Sequence, residues 1–245
     1  MIPMAGQSSR FYEAGFTRPK YELPIGGETL FACCTRSFEH YFRTERFVFV
    51  CRGDLDGPQF VQAECDRLGI ADYLAVSLAE PTRGQAETVL LGLERSGYSG
   101  NESLLVFNID TIRPHYVFPT PAEWCDGYLE TFAGDGENWS FVRPAASFGA
   151  LVAETTEKRR ISNLCCTGLY YFARAADFTG VCKDALRNIE AYQQQWKELY
   201  IAPMYNALIE AGKRIIYHET PSDQVHFAGT PAEYQALLAS GRRLF

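Results

Sequence analysis

The chain has 245 residues, 47% of them hydrophobic and 22% charged, enough to bury a full core as one soluble unit and unlike a disordered chain. Its net charge of −7 argues against a broad nucleic-acid surface, yet leaves room for a phosphate-bearing small molecule met by a few local cations. No apolar run approaches the roughly 20 residues of a membrane span. With no signal peptide apparent, and no C-x-x-C pair among the eight cysteines, the expectation is a reducing, cytoplasmic setting without a membrane or nucleic-acid partner.

In chain order, Met1-Ile2-Pro3 reads as a first strand that is either very short or lacks residues before it. It runs into Met4-Ala5-Gly6-Gln7-Ser8-Ser9-Arg10-Phe11, and Thr17-Arg18-Pro19-Lys20 follows. Small side chains let backbone N–H groups approach phosphates, and Arg10 and Lys20 add charge where a leaving group develops it. A plain strand-to-helix turn would read the same way from this loop alone. Next come a helix over Leu30 to Tyr41, a buried strand over Arg46 to Cys51, a helix over Gln59 to Leu68 and a strand over Tyr73 to Leu78. A helix over Ala86 to Arg95 and a strand over Ser103 to Asn108 complete an alternation that implies a mainly parallel sheet with helices on both faces.

The second half predicts short strands at Gly127 to Phe132, Trp139 to Arg143, Ala150 to Glu154 and Leu169 to Phe172, as a mixed or antiparallel extension. Asp184 to Ala211 is expected to be mostly helical, and Arg214 to His218 a strand. Thr230 to Ser240 reads as a closing helix capped by Thr230 with Pro231 in its first turn. No repeat or long linker interrupts the chain, so a single domain over 1–245 is expected.

Four further blocks fall at strand ends, where an open α/β sheet gathers its ligands. In Pro81-Thr82-Arg83-Gly84-Gln85-Ala86, Gly84 allows a flat surface near the backbone, and Gln85 carries both a donor and an acceptor, as a nucleobase edge requires. Asp110, in Asn108-Ile109-Asp110-Thr111, ends an apolar strand where a carboxylate can hold a hard divalent cation together with substrate phosphates. Glu157-Lys158-Arg159-Arg160-Ile161-Ser162-Asn163, followed by Thr167-Gly168-Leu169-Tyr170, offers an acid for hydroxyls and a base for a phosphate, although a charged run before a strand is commonly a solvated turn. Asp223 and His226, before Gly229-Thr230-Pro231, are near enough in sequence to face one pocket.

In this order the blocks resemble the nucleotidyltransferase family that includes the sugar-1-phosphate nucleotidylyltransferases and related cytidylyltransferases, over almost the whole chain from Pro3 to about Tyr234. The resemblance implies an α/β, Rossmann-like (GT-A-type) fold: a mixed, mostly parallel central sheet, helices on both faces and a small antiparallel extension. It implies that Ala5, Gly6, Gln7, Ser8, Ser9 and Arg10 hold a triphosphate, with Arg10 on the departing pyrophosphate. Lys20 would contact the α-phosphate, Thr82, Gly84 and Gln85 the base, and Glu157, Lys158 and Gly168 a phosphorylated acceptor. Asp110 would hold Mg²⁺; the second metal ligand is open among Asp223, taken first, His226 and Glu154.

Three positions depart from the family pattern. Arg159 stands where Glu-Lys-Pro has proline, Phe227 where Asp-x-Gly-Thr-Pro has its carboxylate, and Ser8 where Gly-x-Gly loops have a second glycine. These departures point away from a common hexose phosphate. Asn108 to Thr111, with Trp139-Ser140-Phe141-Val142, resembles a subgroup encoded with bacterial capsule genes that includes cytidylyltransferases, so CTP is favoured over UTP and dTTP. A regulatory nucleotide-binding module and a nucleotide-sugar-dependent glycosyltransferase are the competing expectations, and a homo-oligomer is left open. The glycosyltransferase reading lacks a D-x-D around Asp110.

Overall fold

The structure is a computed structural model that describes residues 1–120, 124–146 and 149–245. Its elements run β1 (Ile2–Pro3), α1 (Ser9–Glu13), β2 (Pro24–Ile25), β3 (Glu28–Thr29), α2 (Leu30–Arg36), β4 (Phe47–Arg52), α3 (Gly57–Leu68), β5 (Tyr73–Leu78), α4 (Gln85–Ser96), β6 (Leu104–Phe107) and β7 (Thr111–Ile112). They continue with β8 (Gly127–Ala133), β9 (Ser140–Pro144), β10 (Val152–Glu157), β11 (Leu164–Phe172), α5 (Ala175–Arg187), α6 (Ile189–Trp196), α7 (Tyr205–Glu210), β12 (Ile215–Glu219), β13 (His226–Phe227) and α8 (Pro231–Ala239). The fold is mixed α/β, with parallel and antiparallel sheets, and its contacts divide into two compact units.

One unit comprises Ile2–Pro81, Asn108–Val117 and Asp223–Phe245. Its sheet, in order β1-β4-β5, is wholly parallel, with Ile2 opposite Phe49 and Phe49 opposite Ala75. β4 (FVFVCR) is buried along nearly its whole length, as a parallel strand covered on both faces must be. The predicted helix over Leu30 to Tyr41 is cut short. α2 starts where Thr29 Oγ1 accepts from Ala32 N at 3.0 Å, stops at Arg36, and is followed by a 3-10 turn at Glu39–Tyr41. Phe11, Leu23, Ile25, Leu30, Ile112, Ala228 and Tyr234 form a core that ties α1 and α8 together. α8 carries the predicted Thr230 cap as a full capping box, with Glu233 Oε2 accepting from Thr230 N at 2.8 Å.

The other unit comprises Met1, Thr82–Phe107 and Phe118–Ser222. Its six-stranded sheet runs β10-β9-β11-β8-β12, with β6 also paired to β11; only the β12–β8 pair is parallel. β11 is longer than the predicted Leu169 to Phe172. Its first half meets β9 at Cys165–Phe141 and its second half meets β6 over Leu169–Phe172. Between them the pairing with β8 shifts at Cys166/Tyr170, and Gly168 sits in that irregularity at φ 93°, a conformation glycine adopts without strain. One face of the sheet is closed by α4, α5 and α7 around Val89, Leu93, Leu129, Phe178 and Tyr205, whose ring stacks on Phe172 at 4.5 Å.

Candidate active site

In the first unit, the loop after β1 is held from below. Met4 N donates to Val50 O at 2.8 Å, and Phe11, 1% exposed, buries the start of α1 in the core. Ser8 takes a left-handed backbone at φ 53°, and Phe11 N donates to its carbonyl at 2.9 Å. Nothing lies within 4 Å of where a Gly6 side chain would begin. Gly6, Gln7, Ser9 and Arg10 are exposed, Ala5 and Ser8 half-buried, and Arg10 forms no ion pair among the described residues. Lys20 is tied to this loop through its backbone N–H, which donates to Ser8 Oγ at 3.2 Å.

The Lys20 side chain reaches Asp110. Nζ stands 2.5 Å from Oδ2, and each side chain is 20% exposed. Asp110 lies just beyond β6, after Asn108 and Ile109, and its carbonyl accepts from Ala228 N at 2.8 Å. That bond and the antiparallel β13–β7 pair bring Gly229 against the carboxylate, where a Cβ would lie 3.1 Å from Oδ2. The Gly-Thr-Pro segment thus does more than start a helix: its glycine lets the backbone come close beside the Asp110 carboxylate, where a Cβ would crowd it.

That close approach bears on the metal. Mg²⁺ is commonly held by one or two carboxylates, with phosphate oxygens and water completing its shell. One hard oxygen donor bordered by a side-chain-free position fits an ion that arrives with phosphates. Among the described residues no group of three or more His, Cys, Asp or Glu could hold a metal by itself. Asp223 lies exposed in the turn Ser222–Gln224, and nothing among the described residues joins it to Asp110. Burial holds the half-buried His226 imidazole below its ordinary value, with Arg242 adding to the effect and Asp223 opposing it. Glu154, in the other unit, is engaged by Arg143 at 2.7 Å and Arg159 at 2.8 Å.

In the second unit, Gly84 does not face open space. A Cβ there would stand 2.5 Å from Leu199 N and 2.6 Å from Leu199 O, and the backbone has φ 151°. Leu199 N donates to Arg83 O at 3.0 Å, and Ala86 N donates to Leu199 O at 2.9 Å. Gly84 is therefore required for backbone-to-backbone packing, a reason the linear sequence does not reveal. Thr82 Oγ1 pairs with Thr88 Oγ1 at 2.7 Å, and Gln85 opens α4.

Glu157 ends β10 opposite Ser140 of β9, whose hydroxyl it binds; the Ser140 and Tyr170 hydroxyls lie 3.4 Å apart. Burial pushes the Glu157 carboxyl above the ordinary carboxylate range, against the opposing pull of Ser140 and Lys158. Lys158 takes a left-handed backbone at φ 51°, donates its N–H to Trp139 O at 2.8 Å, and extends Nζ to Tyr200 OH at 2.6 Å. Burial alone would lower the lysine; Tyr200, Glu157 and Glu198 outweigh it and hold it above its ordinary value. Ser140, Tyr170, Glu198 and Tyr200 were not among the predicted site residues. Tyr200 is 42 residues from Lys158, so no local motif pairs them.

No protein-family model matches the chain, and no curated protein does. Among solved structures, it is 45% identical to the nucleoside-diphosphate-sugar pyrophosphorylase of Vibrio cholerae RC9, with a TM-score of 0.89 over 98% of this chain and 100% of that one. The chain belongs to that nucleotidyltransferase family. The inositol-1-phosphate CTP transferase of T. maritima (15% identity, TM-score 0.71, 97% of this chain and 93% of that one) shares the fold. So does a UDP-glucose pyrophosphorylase solved with UDP-glucose (16%, 0.73, 98% and 96%). No helix among the described residues of this nucleotidyltransferase is long and apolar enough to cross a membrane.

Proposed function

We propose that the protein, as a single nucleotidyltransferase domain over 1–245, transfers a nucleoside monophosphate from a nucleoside triphosphate to a phosphorylated acceptor and releases pyrophosphate. The observation that carries this is the Lys20–Asp110 pair beside Gly229, in a chain 45% identical to a nucleoside-diphosphate-sugar pyrophosphorylase. An acceptor phosphate oxygen attacks the α-phosphorus in line. A new P–O bond forms, and the bond to the β-phosphate oxygen breaks with its electron pair leaving on pyrophosphate. The nucleophile is already anionic, so no general base is required.

The residues act by holding two polyanions together and by meeting the charge of the leaving group. Ala5, Gly6, Gln7, Ser8 and Ser9 offer backbone donors to the triphosphate, Arg10 meets the pyrophosphate, and Lys20 meets the α-phosphate. Thr82 and Gln85 receive the base, with Gly84, packed on Leu199, shaping the nucleotide-binding turn between them. Glu157, Lys158 and Gly168 receive the acceptor, Glu157 through hydroxyls and Lys158 through the phosphate. Mg²⁺, held by Asp110 with Asp223 as the proposed further ligand, would neutralise phosphate charge. CTP as the donor and a role in capsule or surface polysaccharide synthesis rest on the subgroup resemblance of Asn108 to Thr111 and Trp139 to Val142, and a cytoplasmic setting rests on the eight cysteines with no C-x-x-C pair. A pyrophosphate-release screen of the four triphosphates against phosphorylated sugars, polyols, choline and amino-acid derivatives tests this: one pair turns over in a metal-dependent way. Binding of triphosphates without release from any pair would instead support a regulatory module.

A further inference from the structure

Lys158 and Tyr200 form a pair in which one proton is unspent. Lys158 Nζ donates to the Tyr200 hydroxyl at 2.6 Å and stands 4.8 Å from the ring centroid, so the phenol oxygen is an acceptor here. The phenol's own O–H has no acceptor among the described residues. Its carbonyl is anchored separately, by the Tyr192 hydroxyl at 3.0 Å, and its backbone N–H by Glu198 O at 3.0 Å. The Lys158 backbone is fixed as well, by Trp139 O and by a left-handed conformation that costs a non-glycine residue energy. Two donors, one cationic and one neutral, are thus held side by side from two separate stretches of chain.

Charge sorts what this pair can take. Glu157 and Glu198 lie close enough to act on Lys158, and the Glu157 carboxylate accepts from Ser140. Those acids oppose any incoming anion, so an anion bound here must be met by more than one donor. A tetrahedral oxyanion bound at the outer side of Nζ can accept from the ammonium and from the phenol together, since the hydroxyl rotates freely about its C–O bond.

We propose that Tyr200 is a further acceptor-binding residue: its hydroxyl, set by Lys158, donates to the acceptor's phosphate beside the ammonium. This rests on the proposed role of Glu157 and Lys158 as the acceptor's binding residues. The tyrosine adds a directed donor without adding charge to the anion's surroundings.

Tyrosine labelled with ¹³C at Cζ gives a Tyr200 signal that is assigned by its loss in Tyr200→Phe. Inorganic phosphate is the probe, titrated into wild type, Tyr200→Phe, Lys158→Ala and the double variant, and followed also on the neighbouring Tyr192 signal. The Tyr200 signal moves saturably in wild type. Tyr200→Phe weakens the phosphate response at Tyr192 by about three- to tenfold, the range of one lost neutral hydrogen bond, Lys158→Ala by about tenfold or more because a charged donor is lost, and the double variant is little worse than Lys158→Ala. A weakened response in Lys158→Ala with none in Tyr200→Phe overturns the role of Tyr200 and leaves the acceptor reading intact. No change in either variant, and a Tyr200 signal that stays still, overturns both.

Discussion

Lys20 and Asp110, 90 residues apart in sequence, form an ion pair at 2.5 Å in which the lysine belongs to the segment bound to Ser8 and the aspartate lies just beyond the end of β6. Under the proposed function each is the group that a nucleoside triphosphate and its metal would claim, and the substrate's charges would replace this contact. With each side chain still 20% exposed, water screens the pair in part and it contributes about 1 kcal/mol to stability. Lys20→Met and Asp110→Asn are therefore expected to melt within a few degrees of wild type in a thermal scan. A larger loss would make the pair a structural element.

Gly229→Ala separates the carboxylate's environment from its chemistry. The added Cβ stands 3.1 Å from Asp110 Oδ2 with no left-handed backbone to strain, so the carboxylate must give way by a few tenths of an ångström. Turnover is expected to fall about tenfold or more, since positioning errors of that order are costly, with a melting temperature near that of wild type. Steady-state rates at saturating metal and substrates, set beside a thermal scan, check this.

Gly84→Ala has the opposite signature. The new Cβ would overlap Leu199 backbone atoms at 2.5 Å and 2.6 Å and break the two hydrogen bonds that fix Leu199. Overpacking and strain together are expected to cost about 3 kcal/mol or more, a fall of roughly 6–12 °C for a chain of this size. Gln85→Ala, one residue on, should leave the melting temperature within a few degrees.

Glu157 gives a pH-dependent test. Burial raises its carboxyl in the folded chain, Ser140 and Lys158 oppose that, and Glu198 adds to it. The folded chain holds this proton more tightly than the unfolded one. The residue therefore contributes stability below the ordinary carboxylate range, about pH 4.3, that is lost as pH rises through the raised value. Glu157→Gln is expected to gain on wild type in melting temperature between pH 5 and pH 8, while its affinity for the acceptor falls. Parallel melting profiles across that range would contradict it.

His226 runs the other way. Burial and Arg242 lower its imidazole, with Asp223 opposing. Its stability contribution is present above the ordinary value, about 6.5, and is lost as pH falls through the lowered one. His226→Gln should lose less stability than wild type between pH 7.5 and pH 5, as read from denaturant midpoints at each pH.

Much of the fold was legible because the physics is local. β5 is the predicted Tyr73 to Leu78, and α8 carries its Thr230 cap and Pro231, since a buried strand and a capping box each write a compact signal. The misses have non-local causes. The first half of β11, with Cys165, Cys166 and Thr167 before Gly168, has little β-branched pattern and gains its strand from pairing with β8 and β9. α5 starts at Ala175 after an Arg174 that provides no side-chain cap, so its beginning carried no sequence mark. Asp110 and Lys20 were visible as residue types in the family order, but their direct contact was not. The Gly229 approach, the Leu199 contact of Gly84 and the Tyr200 partner of Lys158 exist only once distant segments meet.

The most direct test of the central claim is pyrophosphate release with product stoichiometry, measured for wild type, Lys20→Ala and Asp110→Ala on the active triphosphate and acceptor. The account predicts one pyrophosphate for each nucleoside-diphosphate product in wild type, and a loss of about 10²-fold or more in both variants, the scale seen when a group stabilising transition-state charge is removed. Near-normal release by either folded variant, or release of inorganic phosphate in place of pyrophosphate, would contradict it.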